Sequence, residues 1–263
     1  MLEILKTCEK AARLGGSILL EMQKSIKPRE KAPRDLVTEA DLASQKAIQA
    51  CLTTAYPEFQ FLGEEETEPS ERRDPQGYCW VVDPLDGTTN YVHGLDNYCV
   101  SIALEHENRP VLGVVYDPIR KELFTAIEGE GAFRNGCPLA TSAITELNSA
   151  LVAASFSANV EADSPEIKRF VAALPHCQAL RRLGSAALNL CYVAAGQLDG
   201  YWATSVKKWD VAAGMLFVQE AGGTVSDISG APFCLEEPRF IAASTPELHQ
   251  ELFQVLNGAV SNP

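Results

Sequence analysis

An apolar run, Trp80-Val81-Val82, leads without a break into Asp83-Pro84-Leu85-Asp86-Gly87-Thr88-Thr89-Asn90. Any fold of this chain must bury the first segment as a strand and still give two carboxylates a place to be. A Pro/Gly turn is the simplest reading, yet a turn needs only one Asp. Here two acids three residues apart leave a strand end and run into glycine and two hydroxyl residues, which is a way to set hard-cation ligands beside free backbone N–H groups. Two other acidic segments stand out. Gly63-Glu64-Glu65-Glu66 alone reads as a solvated loop, and in Trp209-Asp210-Val211-Ala212-Ala213-Gly214 the default role of Asp210 is a helix N-cap. If these segments converge with Asp41, five carboxylates (Asp41, Glu64, Asp83, Asp86 and Asp210) share one cleft. Each adjacent pair about 4 Å apart would repel by about 4 kcal/mol at an effective dielectric of 20. Such a cleft takes up protons or binds cations, and an all-oxygen ligand set favours Mg2+ or Mn2+ over zinc.

Composition narrows the alternatives. With 22 basic against 35 acidic residues the formal charge is -13. That works against a phosphate-backbone partner, so nucleic acid and anionic membrane surfaces are not expected. The opening residues carry charges every few positions, and no apolar stretch approaches the roughly 20 residues of a membrane span; a cytoplasmic location is the expectation. Eight scattered cysteines without a C-x-x-C pair read as reduced thiols, mostly core filler. There is no phosphate-binding G-x-x-x-x-G-K loop, no G-x-G-x-x-G, no nucleophile elbow and no thiolate-phosphatase Cys-x5-Arg loop. The four histidines form no spaced metal pair and read as structural or solvated. Carboxylate chemistry is what remains.

Along the chain, residues 2–22 have helical apolar spacing, a Pro- and charge-rich loop covers 27–36, and Thr38-Glu39-Ala40-Asp41 forms a capping box that opens a helix toward Tyr56. An acidic loop over 64–74 precedes strand-like runs at 80–82, 98–104, 111–116 and 123–126. Asn108-Arg109-Pro110 marks a turn between them, and Asn135-Gly136 signals a hairpin. These predict an antiparallel sheet with helices on it. The second part reads as an α/β layer, with buried strands at 151–155 and 240–243 and helices over 164–174, 184–195, 209–221 and 246–256. The expected division is 1–143, an N-terminal α+β half with the antiparallel sheet and most of the acids, and 144–263, a C-terminal α/β half carrying Asp210.

Thr38-Glu39-Ala40-Asp41, Gly63-Glu64-Glu65, the Asp83–Asn90 segment and Trp209–Gly214 match, in order and with similar separations, the motifs of the inositol monophosphatase family of metal-dependent, lithium-sensitive phosphatases. The chain resembles that family over nearly its whole length, and D-P-x-D-G-T-x-N combined with a downstream W-D-x-A-A-G is highly specific. The resemblance implies an α/β (α+β) fold of the layered αβαβα sandwich type, a homodimer, and two or three Mg2+ ions between the halves. By carry-over Glu64, Asp83 and the Leu85 carbonyl hold one ion, while Asp83, Asp86 and Asp210 hold another. Asp41 would hydrogen-bond Thr88, and Thr88 with Glu64 would position and deprotonate a water. Phosphate oxygens would sit on the N–H groups of Gly87 and Thr88.

Within the family, Thr89-Asn90 looks like the inositol branch, which implies inositol 1-phosphate or a related polyol or sugar phosphate as substrate. Ser185 and Ala186 in Arg181–Asn189 would then border the substrate ring; as plain structure the segment is a capped helix. One departure is that the family's inositol-cleaving members carry an acidic residue where this chain has Trp202-Ala203-Thr204. Lys207 and Lys208 are candidates for a second anionic group or else a solvated pair, and Lys31 is a weaker basic candidate. The alternatives are a histidinol phosphatase, a fructose 1,6-bisphosphatase, a 3'-phosphoadenosine 5'-phosphate phosphatase, or a partner-binding regulator whose catalysis is dispensable.

Overall fold

Helix α1 (Leu2–Met22) buries Cys8, Ala11, Ala12 and Leu19 along one face, as the 3.6-residue spacing of its apolar positions dictates. In this computed structural model the described residues are 1–25, 29–32, 35–66, 76–157 and 159–261. Where a loop was expected over 27–36, β1 (Arg29–Ala32) and β2 (Asp35–Val37) pair as an antiparallel hairpin; a sequence this rich in charge and proline carries no apolar alternation to reveal them. Then follow α2 (Glu39–Ala55), β3 (Gln60–Gly63), β4 (Cys79–Asp86), α3 (Thr88–His93), β5 (Cys99–His106), β6 (Arg109–Asp117), β7 (Glu122–Ile127), β8 (Ala132–Arg134) and β9 (Cys137–Pro138). Strands β3 to β9 form one sheet in sequence order, antiparallel except for the parallel pair β3–β4. Asn135 and Gly136, both at positive φ, make the expected turn between β8 and β9. The β5–β6 turn uses Glu107 and Asn108 at positive φ, so Arg109 and Pro110 already belong to β6.

The second part runs β10 (Leu151–Ser155), α4 (Pro165–Ala173), β11 (Ala179–Arg181), α5 (Ala186–Ala194), β12 (Gly200–Ala203), α6 (Lys208–Glu220), β13 (Thr224–Asp227), β14 (Phe240–Ala243) and α7 (Pro246–Ser261). Its five strands are ordered β11-β10-β12-β14-β13, parallel through β11, β10 and β12 and antiparallel at β14 and β13. Helices α1 and α2 cover one face of the larger sheet, α5 and α6 lie between the two sheets, and α4 and α7 cover the far face of the smaller one. This is the αβαβα layering, with three apolar cores: one under each outer helical layer and one that runs through both faces of the middle helices. Helix α6 touches strands of both sheets, so its N-terminus is delivered to the edge where the parts meet.

Buried Cys8, Cys79, Cys99 and Cys191 fit the expectation of core filler, but Cys137 and Cys234 are exposed. His249 is buried against Ser226 Oγ at 2.9 Å, His106 stacks on Tyr78, and His93 and His176 are exposed. No described helix is long and apolar enough to cross a membrane.

Candidate metal-assisted active site

The sheet register explains how two acids three residues apart face the same way. Val81 faces the α5–α6 layer, whereas Trp80, Val82 and Leu85 face α1 and α2. In a regular strand Asp83 and Asp86 would point to opposite faces. Asp83 pairs with Ser101 and Asp86 with Cys99, so three steps on β4 oppose two on β5. This bulge around Pro84 and Leu85 brings both carboxylates onto the inter-sheet face. The sequence suggested that β4 ended before Asp83; the bulge is what lets it continue through a proline. In the neighbouring parallel strand Gly63 pairs with Val82, and the Glu64 N–H donates to the Val82 carbonyl at 3.0 Å, so Glu64 emerges level with Asp83.

One face of α2 holds both acid-bearing segments. Asp41, Ser44 and Gln45 are buried at i, i+3 and i+4. The Thr38 N–H and hydroxyl donate to Asp41 Oδ2 at 2.9 and 2.6 Å, and Thr88 Oγ1 lies 3.3 Å from Asp41 Oδ1. Ser44 donates to the Pro84 carbonyl at 3.0 Å, and Gln45 Oε1 accepts the Glu65 N–H at 2.9 Å. Thr88 Oγ1 is thus within hydrogen-bond reach of Asp41, as expected, and also of the Leu85 carbonyl at 3.1 Å. Ser44 and Gln45 were not singled out from sequence, although a run of buried polar residues at helical spacing is the signal that marks them.

Asp210 arrives from the other side. It is not the N-cap of α6 but its N3 residue, and its Oδ2 accepts the Lys207 N–H at 2.8 Å. Asp41 bonds the Thr38 N–H from N3 of α2 in the same manner. Asp86 sits at the start of α5: its carboxylate accepts the Ser185 hydroxyl and the N–H groups of Ala186 and Ala187 at 3.1 and 2.8 Å, with Cys99 Sγ 3.7 Å away. Ser185 and Ala186 thus bond Asp86. Asn90 joins the two segments, donating to the Leu183 and Asn97 carbonyls at 2.8 Å each. Gly184, at φ +83°, leaves that amide room, since a Cβ there would lie 2.8 Å from Asn90. Gly87, at φ +98°, presses against the Asn97 carbonyl, and a side chain there would meet it at 2.9 Å.

Glu64, Asp83, Asp86 and Asp210 act on one another electrostatically. Burial, then the charges of Glu64, Asp86 and Asp210, push the Asp83 carboxyl well above the usual carboxylate range, against the Leu85 N–H bond that favours its ionised form. Burial raises Asp86 as well, opposed by its hydrogen bonds to Ser185, Ala187, Ala186 and Cys99. Asp210 keeps part of its surface open, yet its carboxyl environment, then Asp86 and Glu64, push it well up, while the Lys207 N–H and a hydrogen bond with Asp83 pull it back. Four acids this close do not all ionise without a counter-charge.

Among the described residues no three His, Cys, Asp or Glu side chains stand as placed in a geometry that holds an ion. Asp86 is turned to the α5 N–H groups, and Asp83 and Asp210 to each other. The donor chemistry nonetheless fits a hard cation: four neighbouring carboxylates and the Leu85 carbonyl, all oxygen, on backbone fixed by the bulge and two helix starts.

The lysine pair separates. Lys208 is neither solvated nor open to a second anion, because its ammonium bridges Glu105 at 2.7 Å and Glu236 with its side chain 10% exposed. Lys207 is exposed beside a cleft of about 550 Å³ lined by Leu62, Thr204, Trp209, Glu236 and Arg239; the four acids do not line it. The Lys31 side chain lies outside the described residues, as does the acidic loop beyond Glu66 up to residue 75. Ala203 is fully buried between the sheets.

The sequence pattern of the inositol monophosphatase family matches residues 1–261. The chain is 42% identical to inositol monophosphatase 2 of Solanum lycopersicum over 268 residues, covering 98% of this chain and 99% of that protein. It is 39% identical to Nus factor SuhB of Pseudomonas aeruginosa over 251 residues, 93% of each. The crystal structure of the extragenic suppressor protein suhB from Bartonella henselae superposes with a TM-score of 0.90 at 36% identity, covering 97% of this chain and 98% of that one.

Proposed function

The chain belongs to the inositol monophosphatase family, and from that membership we propose that it is a Mg2+-dependent phosphomonoesterase acting on inositol 1-phosphate or a related polyol or sugar phosphate. The observation that carries the reading is the convergence of Glu64, Asp83, Asp86 and Asp210, each from a different position in the chain, in mutual electrostatic contact. Glu64, Asp83 and the Leu85 carbonyl would hold one cation, and Asp83, Asp86 and Asp210 another, with Asp83 shared. Two or three Mg2+ ions, or Mn2+ in their place, would acidify the attacking water, shield the incoming phosphate from the acids and stabilise the leaving alkoxide.

The chain's own groups supply the rest. Thr88 has one hydroxyl proton and two acceptors, Asp41 Oδ1 at 3.3 Å and the Leu85 carbonyl at 3.1 Å. When the Leu85 carbonyl is engaged elsewhere, the proton points to Asp41, and the Thr88 lone pairs face outward to orient a water. Glu64 takes that water's proton. The Gly87 and Thr88 N–H groups at the start of α3 hold phosphate oxygens; with only six residues in α3, local N–H donation outweighs any summed dipole. With Ala203 in place of an acid, ring hydroxyls lose a charge-assisted partner worth about 1.5–3 kcal/mol, which broadens the substrate range. A homodimer in the cytoplasm, without nucleic acid or membrane, completes the proposal.

The Nus factor name of the Pseudomonas relative favours a second reading, a regulator working through a macromolecular partner. A phosphate-release panel separates the two. Inositol 1-phosphate, histidinol phosphate, fructose 1,6-bisphosphate and 3'-phosphoadenosine 5'-phosphate are offered with Mg2+, with and without Li+. The expected result is release fastest from inositol 1-phosphate, inhibited by Li+. Silence across the panel under conditions where Mg2+ binds would move the weight to the regulator.

A further inference from the structure

Directly behind the acids, three polar atoms are buried at one place without a hydrogen-bond partner: both amide atoms of Asn189 and the Tyr201 hydroxyl. Both residues are fully buried. Asn189 lies one turn beyond Ser185 on the same face of α5, and its N–H donates to the Ser185 carbonyl at 3.2 Å. Tyr201 projects from β12 into the inter-sheet core, where its hydroxyl approaches the Ser155 and Asn189 side chains closely enough to interact with both but in neither case with the distance and angle of a formed hydrogen bond. An amide N–H, an amide carbonyl and a phenol together offer donor and acceptor capacity matched to one water, which typically makes about three hydrogen bonds when buried. Leaving all three unpaired would be costly, and an ordered water is a common remedy for such groups.

We propose that Asn189 and Tyr201 hold one buried water that fastens the first turn of α5 to β12, making them positioning residues for Asp86. Everything that holds Asp86 comes from that turn or its neighbour β5: the Ser185 hydroxyl, the Ala186 and Ala187 N–H groups and the Cys99 thiol. Ser185 is further tied into the turn by the Leu188 N–H at 3.2 Å. A shift of the turn therefore moves three of the four partners of Asp86 together. The consequence for cation binding rests on the reading of Asp86 as a ligand; the water and the placement of Asp86 do not.

High-resolution crystal structures of the full chain and of Tyr201→Phe test the inference. The parent is expected to show a water within about 3 Å of the Asn189 amide and the Tyr201 hydroxyl. Tyr201→Phe is expected to lose it and to lengthen the Asp86 bonds to Ser185 and Ala187. A direct Asn189–Tyr201 bond, no water density, or an unmoved Asp86 in the variant would overturn it. Calorimetric titration with MgCl2 alone adds a second readout. Asn189→Leu and Tyr201→Phe should each weaken Mg2+ binding about tenfold, and the double variant no further, because either change releases the same water. Parent-like affinity in both single variants, or additive losses, would refute the positioning role. A parent chain that binds no Mg2+ would instead sink the phosphatase reading and leave the crystallographic test standing.

Discussion

Asp83→Asn is expected to lower phosphate release by more than about a hundredfold while the cation-free protein becomes more stable, melting roughly 2–4 °C higher. The two effects have one cause. Asp83 is buried at the meeting point of Glu64, Asp86 and Asp210, whose charges and whose exclusion of water both disfavour its ionised form. Asparagine keeps the shape and can still accept the Leu85 N–H that Asp83 accepts at 2.9 Å, but it contributes no charge to repel the other three. Relief of about 1 kcal/mol corresponds to a few degrees in a chain of this length. The same neutrality removes the residue proposed to be shared between two cations. Loss of a partner that merely orients a ligand costs about 10- to 100-fold, so loss of a shared ligand sets in beyond that range. Activity assays and thermal melts of one preparation check both halves. A variant that is inactive and also less stable would mean that Asp83 supports the fold by ordinary pairing rather than bearing strain for catalysis.

The second large effect is a pH-dependent response to Mg2+. Asp83, Asp86 and Asp210 are all raised above their ordinary carboxylate range, by burial first. Between the unfolded value, about 3.9, and the raised folded values, the folded chain binds more protons than the unfolded one. The stability contributed by these groups is therefore fully present below about pH 4 and is lost as pH rises through their folded values. A cation that replaces those protons restores it. Mg2+ at one hundred times its dissociation constant stabilises by about 2.7 kcal/mol, roughly 5–11 °C here. At pH 5, where protons compete for the same oxygens, the same Mg2+ should yield a clearly smaller increment than at pH 8. Differential scanning calorimetry at the two pH values, with and without MgCl2, measures it. An increment equal at both, or larger in acid, would show that the cation binds away from these carboxylates.

What could be read in advance followed residue chemistry, and what could not depended on contacts between distant segments. Asp83 and Asp86 announce themselves because two acids at a strand end beside glycine exceed what a turn needs, whereas Glu64 and Asp210 read alone as a solvated loop and a helix cap, and family resemblance supplied the convergence that spacing could not. The bulge at Pro84 and Leu85 was hidden because proline after a strand reads as its end; only the Asp83–Ser101 and Asp86–Cys99 pairings reveal that the strand goes on. The short strands β11, β12 and β13 have three or four residues each, too few for a period to show. Lys208 read as loop because nothing near it in sequence predicts Glu105, 103 positions away. Asp210 reads from sequence as the N-cap; an N-cap three residues earlier, at Lys207, makes it an N3 residue whose carboxylate faces back over the helix start. Ser44, Gln45 and Asn90 are similar cases, polar residues whose partners belong to other segments.

Anomalous diffraction from crystals soaked in MnCl2 bears most directly on whether these acids form a cation site. The result expected is one or more Mn2+ peaks about 2 Å from oxygens of Glu64, Asp83, Asp86 and Asp210, with Asp83 touching two of them when both are filled. Peaks confined to the protein surface, or none at a concentration that saturates the calorimetric response, would contradict it.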